Sequence, residues 1–184
     1  MQAIQAKGGA HAVVVMGVSG SGKSTLSECL ATRLGCPMLE GDAFHSAANV
    51  AKMQAGHPLD DADRWPWLDS LGEAIGATAA EAGMAVAACS ALKRSYRDRL
   101  AEASSVPLLF VLLETDRGEI ERRITTRAGH YMPASLLDSQ LATLERPGKD
   151  EPAVTMDARR APELLCKDVL AWLGSAGERS AARG

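Results

Sequence analysis

Nothing in this chain constrains its fold more than the nine residues Gly17-Val18-Ser19-Gly20-Ser21-Gly22-Lys23-Ser24-Thr25. They satisfy the pattern G-x-x-x-x-G-K-S/T and follow a short β-branched run, Ala12-Val13-Val14-Val15-Met16, which reads as a strand buried on both faces. From Lys23 to Leu34 the residues Leu26, Cys29, Leu30 and Leu34 share one helical face, and Gly35 with Pro37 stops the helix. Strand, glycine loop and helix in this order open a phosphate-binding α/β domain. Gly17, Gly20 and Gly22 permit dihedrals that let successive backbone N–H groups, those of Ser19 and Ser21 among them, converge on a phosphate beside a helix N-terminus. Lys23 brings a mobile cation to the β- and γ-oxygens, the Ser24 hydroxyl is placed to ligate Mg²⁺, and Thr25 is the next donor along the helix.

The alternation then repeats. A short strand at Met38-Leu39-Glu40 is followed by a polar segment to about Asp63 and a helix from Trp65 to Ala82, with Asp63 as its cap and Gly83 as its stop. A strand Met84 to Cys89, a basic helix Lys93 to Ala101, a strand Leu108 to Leu113 and a charged helix Arg117 to Arg127 come next. A loop and helix reach Glu145, a weak strand Val154-Thr155-Met156 follows, and the last helix runs from Pro162 to Leu173. This predicts an α/β fold of the P-loop NTPase type, a five-stranded parallel sheet with helices on both faces. The phosphate-loop domain is expected over 12–174, with a lid at about 127–147 and loose tails at 1–11 and 175–184. Seven aromatic residues are too few for a base-stacking surface, and 20 Lys plus Arg against 23 Asp plus Glu give no basic field for nucleic acid. The longest apolar stretch, Val106 to Leu113, is too short to span a bilayer, and Cys29, Cys36, Cys89 and Cys166 show neither zinc spacing nor a disulfide framework. The chain therefore reads as cytoplasmic, with no membrane or nucleic-acid partner.

Three classes of phosphate-loop protein remain: a small-molecule kinase, a GTPase switch and a mechanical or regulatory ATPase. A GTPase needs an N-K-x-D guanine reader, and the single asparagine, Asn49, precedes Val50. Leu108 to Glu114 resembles a Walker B strand with Glu for Asp, yet a core strand leading into a capping Thr115-Asp116 explains it equally well. A kinase is favoured by Leu39-Glu40-Gly41-Asp42, which puts Asp42 at the carboxyl end of the second strand, where ligands of open α/β sheets bind. Phosphorylating a hydroxyl needs a carboxylate there to orient the nucleophile and take its proton; an ordinary helix cap is the alternative for Asp42. Trp65 and Trp67 read as packing. Lys93 and Arg97 lie four apart, one face of a helix, and could hold a carboxylate substrate or simply form a solvated basic face. Arg123 and Arg127, one turn apart before Ala128-Gly129-His130-Tyr131-Met132-Pro133, suggest a lid over the transferring phosphate, or else cations completing a helix end.

Taken together, these segments resemble the gluconate kinase family, small phosphate-loop sugar-acid kinases related in fold to shikimate and nucleoside monophosphate kinases. The resemblance rests on the loop Gly17 to Thr25, on Gly41-Asp42 with His45, Asn49 and Lys52-Met53, and on Pro58-Leu59 with Asp61, Asp63-Arg64 and Pro66-Trp67-Leu68. It continues through Cys89-Ser90-Ala91-Leu92-Lys93 with Tyr96-Arg97-Asp98, Arg127 with Gly129-His130, Leu137 with Ser139-Gln140, and Leu144-Glu145. Ser46 stands where the family usually has proline, and Tyr131 where phenylalanine is common. What the resemblance implies is ATP-dependent phosphorylation of the 6-hydroxyl of D-gluconate, with Mg²⁺, by a cytosolic enzyme that is often a homodimer. It would make Asp42 the base, with Lys23 and Arg127 stabilising the phosphoryl group, Ser24 holding Mg²⁺ and Arg123 beside the nucleotide. His45, Arg64, Lys93, Arg97 and His130 would serve the gluconate carboxylate and hydroxyls. Phosphorylation of shikimate or another hydroxy acid, and a non-catalytic nucleotide sensor, are the alternatives.

Overall fold

A computed structural model describes residues 9–126 and 134–181. Strand β1 (His11–Met16) enters the middle of the molecule, and its residues Ala12 to Met16 are all fully buried. Their side chains alternate between two cores: Ala12, Val14 and Met16 face one layer, Val13 and Val15 the other. Helices on both faces of the sheet are the physical reason that the run is apolar throughout rather than at every second position.

The loop after β1 leads into α1 (Lys23–Leu34), whose N-cap is Gly22 with a left-handed φ of 100° and no capping side chain. The first turn carries no acidic residue, so the N–H groups and positive end of this helix are left for an anion. Strand β2 (Met38–Glu40), a single 3-10 turn (Gly41–Phe44) and α2 (Ala47–Gln54) follow. The helix α2 occupies part of the segment read from sequence only as polar. Ser46 caps it by accepting the Asn49 N–H at 3.1 Å, so the residue replacing the family's proline has a defined duty.

Helix α3 (Asp61–Ala82) starts one turn earlier than its hydrophobic pattern suggests. Asp60, not Asp63, is the N-cap; Asp63 answers it as the third helical residue, its carboxylate accepting the Asp60 N–H at 2.9 Å in a reciprocal capping box. Pro66, the sixth residue of α3, has no N–H to give the Ala62 carbonyl, so the helix goes without that one bond near its start. Strand β3 (Met84–Ala88), α4 (Arg94–Ser104), β4 (Leu108–Glu114), α5 (Arg117–Thr126), α6 (Ala134–Thr143), β5 (Ala153–Asp157) and α7 (Pro162–Ala181) complete the described chain. The last helix passes the expected end at Leu173 and runs through to Ala181, into the segment read as a loose tail.

All strands pair in parallel in the order β2-β3-β1-β4-β5. One face is covered by α3 and α4 over Trp67, Leu71, Ile75, Tyr96 and Leu100, the other by α1 and α7 over Leu26, Leu30, Leu165 and Val169. On α3, a Cβ at Gly76 would collide with the Ser104 backbone and one at Gly72 would meet the Ala103 Cβ at 2.6 Å, so small residues set the close approach of α3 to α4. A third, smaller apolar cluster of Val18, Leu92, Ile120 and Leu137 joins the phosphate loop to α5 and α6. Since β3 and β4 flank β1, the crevice at the strands' carboxyl ends opens beside the phosphate loop.

Candidate active site

The phosphate loop is held in shape by sterics and backbone bonds. A Cβ at Gly17, φ 140°, would lie 2.6 Å from the Leu113 carbonyl oxygen, so only glycine lets the loop leave β1 against β4. The Ser21 N–H donates to the Val18 carbonyl at 3.3 Å, and the Lys23 ammonium donates to the same oxygen at 3.1 Å. Ser21 is buried, Ser19 and Ser24 half-buried, and Thr25 exposed at the start of α1. Across the crevice the Ser24 hydroxyl donates to Glu40 Oε2 at 2.6 Å, joining the loop to the end of β2. Glu40 was not among the residues singled out from sequence; its place one residue before Gly41-Asp42 is the only signal it carries.

Asp42 is 76% exposed in the 3-10 turn, with an oxygen 4.0 Å from His45 Nε2. Its position is enforced by Gly41, where a Cβ would collide with the Ala88 carbonyl, and by Trp67, whose indole N–H donates to the Gly41 carbonyl at 2.8 Å. Trp67 therefore packs, as expected, and also fixes the turn bearing Asp42. The His45 ring stacks on Trp67 at 4.1 Å between centroids, and burial pushes the imidazole below its ordinary pKa, with Asp42 opposing and Arg64 adding to that shift. Beneath these groups the buried Cys89 thiol is pushed up to about 12, chiefly by desolvation. The charges of Asp42, Lys23 and Arg64 all act on that one sulfur, which brings three sequence-distant groups to one end of the sheet.

Beside them lies a cavity of about 490 Å³ lined by Leu59, Asp60, Asp61, Ala62, Arg64, Lys93, Tyr96 and Thr143. Asp61 Oδ1 accepts from Lys93 Nζ at 2.8 Å and from the Tyr96 hydroxyl at 2.5 Å. The Lys93 ammonium, then the Tyr96 hydroxyl, hold the Asp61 carboxyl below its ordinary pKa. Arg64 and Lys93 flank the Tyr96 ring, 5.4 and 5.2 Å from its centroid. Asp61 and Tyr96 were legible only as parts of longer motifs.

Arg97 is a correction. Lys93 is extended (φ −97°, ψ 154°) as the residue capping α4, so the four-residue spacing does not put the two cations on one face. The Arg97 side chain is 1% exposed and its donors are engaged: Nε and Nη2 with Glu151 at 2.5 and 3.0 Å, and Nη1 with the carbonyls of Glu145 at 3.1 Å and Ala91 at 3.3 Å. It clamps the segment after α6 and does not line the cavity. Arg123 does reach the loop, donating to the Ser21 carbonyl at 3.3 Å and the Ala158 carbonyl at 2.6 Å, while its Nε bonds Glu119 at 2.6 Å. Arg122 turns outward to Glu119, whose carboxyl is pulled down to about 2 by Arg122 and Arg123. Glu114, the Walker-B-like acid, pairs with Arg146, and Asp116 caps α5 by accepting the Glu119 N–H at 3.0 Å. Arg127, His130 and Tyr131 lie outside the described residues.

Known proteins resemble this chain in sequence and in fold. The model of a family described as an AAA domain matches residues 13–147. A gluconokinase of Gluconobacter oxydans is 49% identical over 158 residues, spanning 86% of this chain and 88% of that one. The crystal structure of a gluconokinase from Sinorhizobium meliloti superposes with a TM-score of 0.85 at 42% identity, covering 95% of this chain and 97% of that one. A shikimate kinase from Acinetobacter baumannii, 15% identical with a TM-score of 0.56 over 91% of this chain and 94% of that one, shares the fold alone. Identity at this level over nearly the whole domain, on a phosphate-loop sheet of the same topology, makes the chain a member of the gluconokinase family.

Proposed function

We propose that the protein transfers the γ-phosphoryl group of ATP to the 6-hydroxyl of D-gluconate, giving 6-phospho-D-gluconate and ADP. The observation that carries this reading is the exposed Asp42 carboxylate, held at the carboxyl end of β2 by Gly41 and Trp67, with the charges of Lys23 and Arg64 at the same end of the sheet. In this reaction Asp42 orients the acceptor hydroxyl and accepts its proton as the new O–P bond forms and the bond to the ADP oxygen breaks. Lys23 exchanges the Val18 carbonyl for phosphate oxygens, and the uncapped start of α1 supplies further N–H donors. Arg64 and Lys93 serve the carboxylate and hydroxyls of the acceptor, and His45, kept neutral by burial, supports the turn beside Asp42. Arg127 and His130 are assigned to the phosphoryl group and the acceptor through the family resemblance, and Arg123 to the nucleotide side of the loop.

The donor set beside the loop fits Mg²⁺. Ser24 and Glu40 present two hard oxygens 2.6 Å apart, and among the described residues no group of three or more His, Cys, Asp or Glu forms a closed metal cage. Mg²⁺ takes few protein ligands when substrate phosphates and water supply the rest, so Ser24 and Glu40 would hold it. When bound, it would neutralise charge on the β- and γ-oxygens. Among the described residues no helix is long and apolar enough to cross a membrane; the cytoplasm and a homodimer are the setting and assembly the family implies.

A coupled ADP-release assay with gluconate, shikimate, other sugar acids and nucleoside monophosphates tests the assignment. Gluconate is expected to be the preferred acceptor, and Asp42→Asn to nearly abolish turnover while nucleotide still binds. Preference for another acceptor would overturn the substrate; substantial activity in Asp42→Asn would overturn the base. ATP binding with no acceptor turned over would make the protein a sensor.

A further inference from the structure

One contact of the phosphate loop comes from a residue 121 positions away: the Ser19 N–H donates to the side-chain oxygen of Gln140 at 2.7 Å. A backbone N–H can only donate, so the atom facing it is the amide oxygen, and the amide nitrogen with its two N–H bonds is turned the other way. Gln140 belongs to α6, whose Leu137 is 2% exposed and packs with Val18 of the loop, Leu92 and Ile120. Residues three apart on a helix share a face, so the cluster that seats Leu137 also seats Gln140. Thr143, a further three residues along, lines the cavity that holds Arg64 and Lys93. One face of α6 thus borders the phosphate loop at Gln140 and the acceptor cavity at Thr143. On the phosphoryl-transfer reading, the group in transfer passes between those two places.

We propose that Gln140 reads the terminal phosphoryl group of the nucleotide, its amide oxygen fixing the Ser19 N–H on the rim of the loop and its amide nitrogen donating to the γ-phosphate. The chemistry requires glutamine. A glutamate would still accept the Ser19 N–H but set a negative charge against the phosphate, and an apolar isostere would leave the N–H without its partner and offer no donor. The residue favours a triphosphate over a diphosphate because the extra donor has work to do only when the γ-group is present.

The inference rests on the phosphoryl-transfer reading, and its test is chosen to be separable from it. Binding of ADP and of a non-hydrolysable ATP analogue is measured by calorimetry on the full chain, without acceptor, for wild type, Gln140→Met and Gln140→Glu. Loss of a hydrogen bond to a charged group is expected to weaken the ATP analogue on the order of tenfold in Gln140→Met, with ADP changed by less than about twofold. Gln140→Glu is expected to weaken the analogue further than Gln140→Met does, although it keeps the acceptor for Ser19. In the steady state both variants are expected to raise the KM for ATP and lower kcat, leaving the KM for the acceptor unchanged. Equal weakening of both nucleotides would show a role in shaping the loop only and overturn the proposal, as would unchanged binding of the analogue. If Gln140→Met fails to fold, Gln140→Glu decides alone, since it keeps both the side-chain length and the bond to Ser19. Failure of the wild type to turn over gluconate would sink the substrate reading and leave this discrimination measurable.

Discussion

Replacing Arg97 by methionine separates two readings of the same residue. If Arg97 held the acceptor carboxylate, its loss would raise the acceptor KM; if it is a buried clamp, its loss lowers stability. Arg97 is 1% exposed and Glu151 8%, and the variant would leave the Glu151 carboxylate in place with only the Gly148 N–H, at 2.7 Å, as a fixed partner. The carbonyls of Glu145 and Ala91 would lose their donor too, and Ala91 already has an unusual φ of 42°. Breaking a buried pair by removing one partner costs about 3–5 kcal/mol. At about 2–4 °C per kcal/mol for a chain of this size, the melting temperature should fall by about 6–20 °C. Thermal unfolding followed by circular dichroism measures this, and steady-state kinetics well below the new midpoint should find the acceptor KM within about threefold of wild type, a change of well under 1 kcal/mol. Arg97→Met with Glu151→Leu should recover part of the loss, since the stranded carboxylate is then gone. There is a pH signature as well. Arg97 holds the Glu151 carboxyl below its ordinary pKa, so this contribution is fully present at neutral pH and is lost as the pH falls below that ordinary value and through the lowered one. A melting temperature unchanged by Arg97→Met, together with an acceptor KM raised more than about tenfold, a loss of roughly 1.4 kcal/mol in binding, would refute the clamp.

Two further outcomes follow from the turn that carries Asp42. Gly41→Ala puts a methyl group against the Ala88 carbonyl and 3.1 Å from Leu71 Cδ2, so the turn must shift; kcat should drop by at least about tenfold, as misplacing a reacting group commonly does, while ADP affinity stays as it was. Equal kcat values in the two proteins would mean that Asp42 tolerates displacement. His45 is held below its ordinary pKa of 6.5, so the unfolded chain takes up its proton first on acidification. Stability from this residue is complete above that value and declines as the pH falls from it towards the lowered folded pKa. His45→Gln should therefore flatten the fall in melting temperature between neutral and mildly acidic pH, and identical slopes in the two proteins would count against a buried neutral imidazole.

The parts of this fold written in local pattern were legible. Lys23–Leu34 and Met38–Glu40 stand where periodicity and punctuation put them, because glycine at Gly35 and the apolar runs act within a few residues of themselves. What escaped was either degenerate or distant. In Asp60-Asp61-Ala62-Asp63 several residues can cap a helix, and the choice of Asp60 depends on a reciprocal bond that the residue types allow at more than one register. Lys93 and Arg97 show the limit of spacing arguments, since four residues mean one face only when both ends are helical. Glu40, Glu151 and Gln140 matter through partners 16, 54 and 121 residues away, and no local signal encodes such contacts.

If the cavity lined by Arg64 and Lys93 takes the acceptor, its charges set what it accepts. Among the described residues, several basic side chains pair with carboxylates on the surface: Arg94 with Asp150, Arg99 with Asp69, Arg117 with Glu121, Arg159 with Asp157, Arg160 with Asp168. Lys52 likewise bridges Asp60 and Asp63, one cation shared by two carboxylates. Arg64 and Lys93 face the cavity together with Asp60 and Asp61; Lys93 pairs with Asp61, and the Arg64 Nε donates to a neutral carbonyl, that of Leu59 at 3.3 Å. The lining thus carries two cations and two carboxylates, with the Tyr96 phenol also able to bond hydroxyls. A hydroxyl-rich anion would engage both the Arg64 guanidinium and these hydroxyl-bonding groups. A neutral polyol would offer that guanidinium no carboxylate, and an anion without hydroxyls would leave the polar groups around Asp61 without new partners; either deficit is the kind that lets a hydrogen-bonding site reject a wrong substrate strongly.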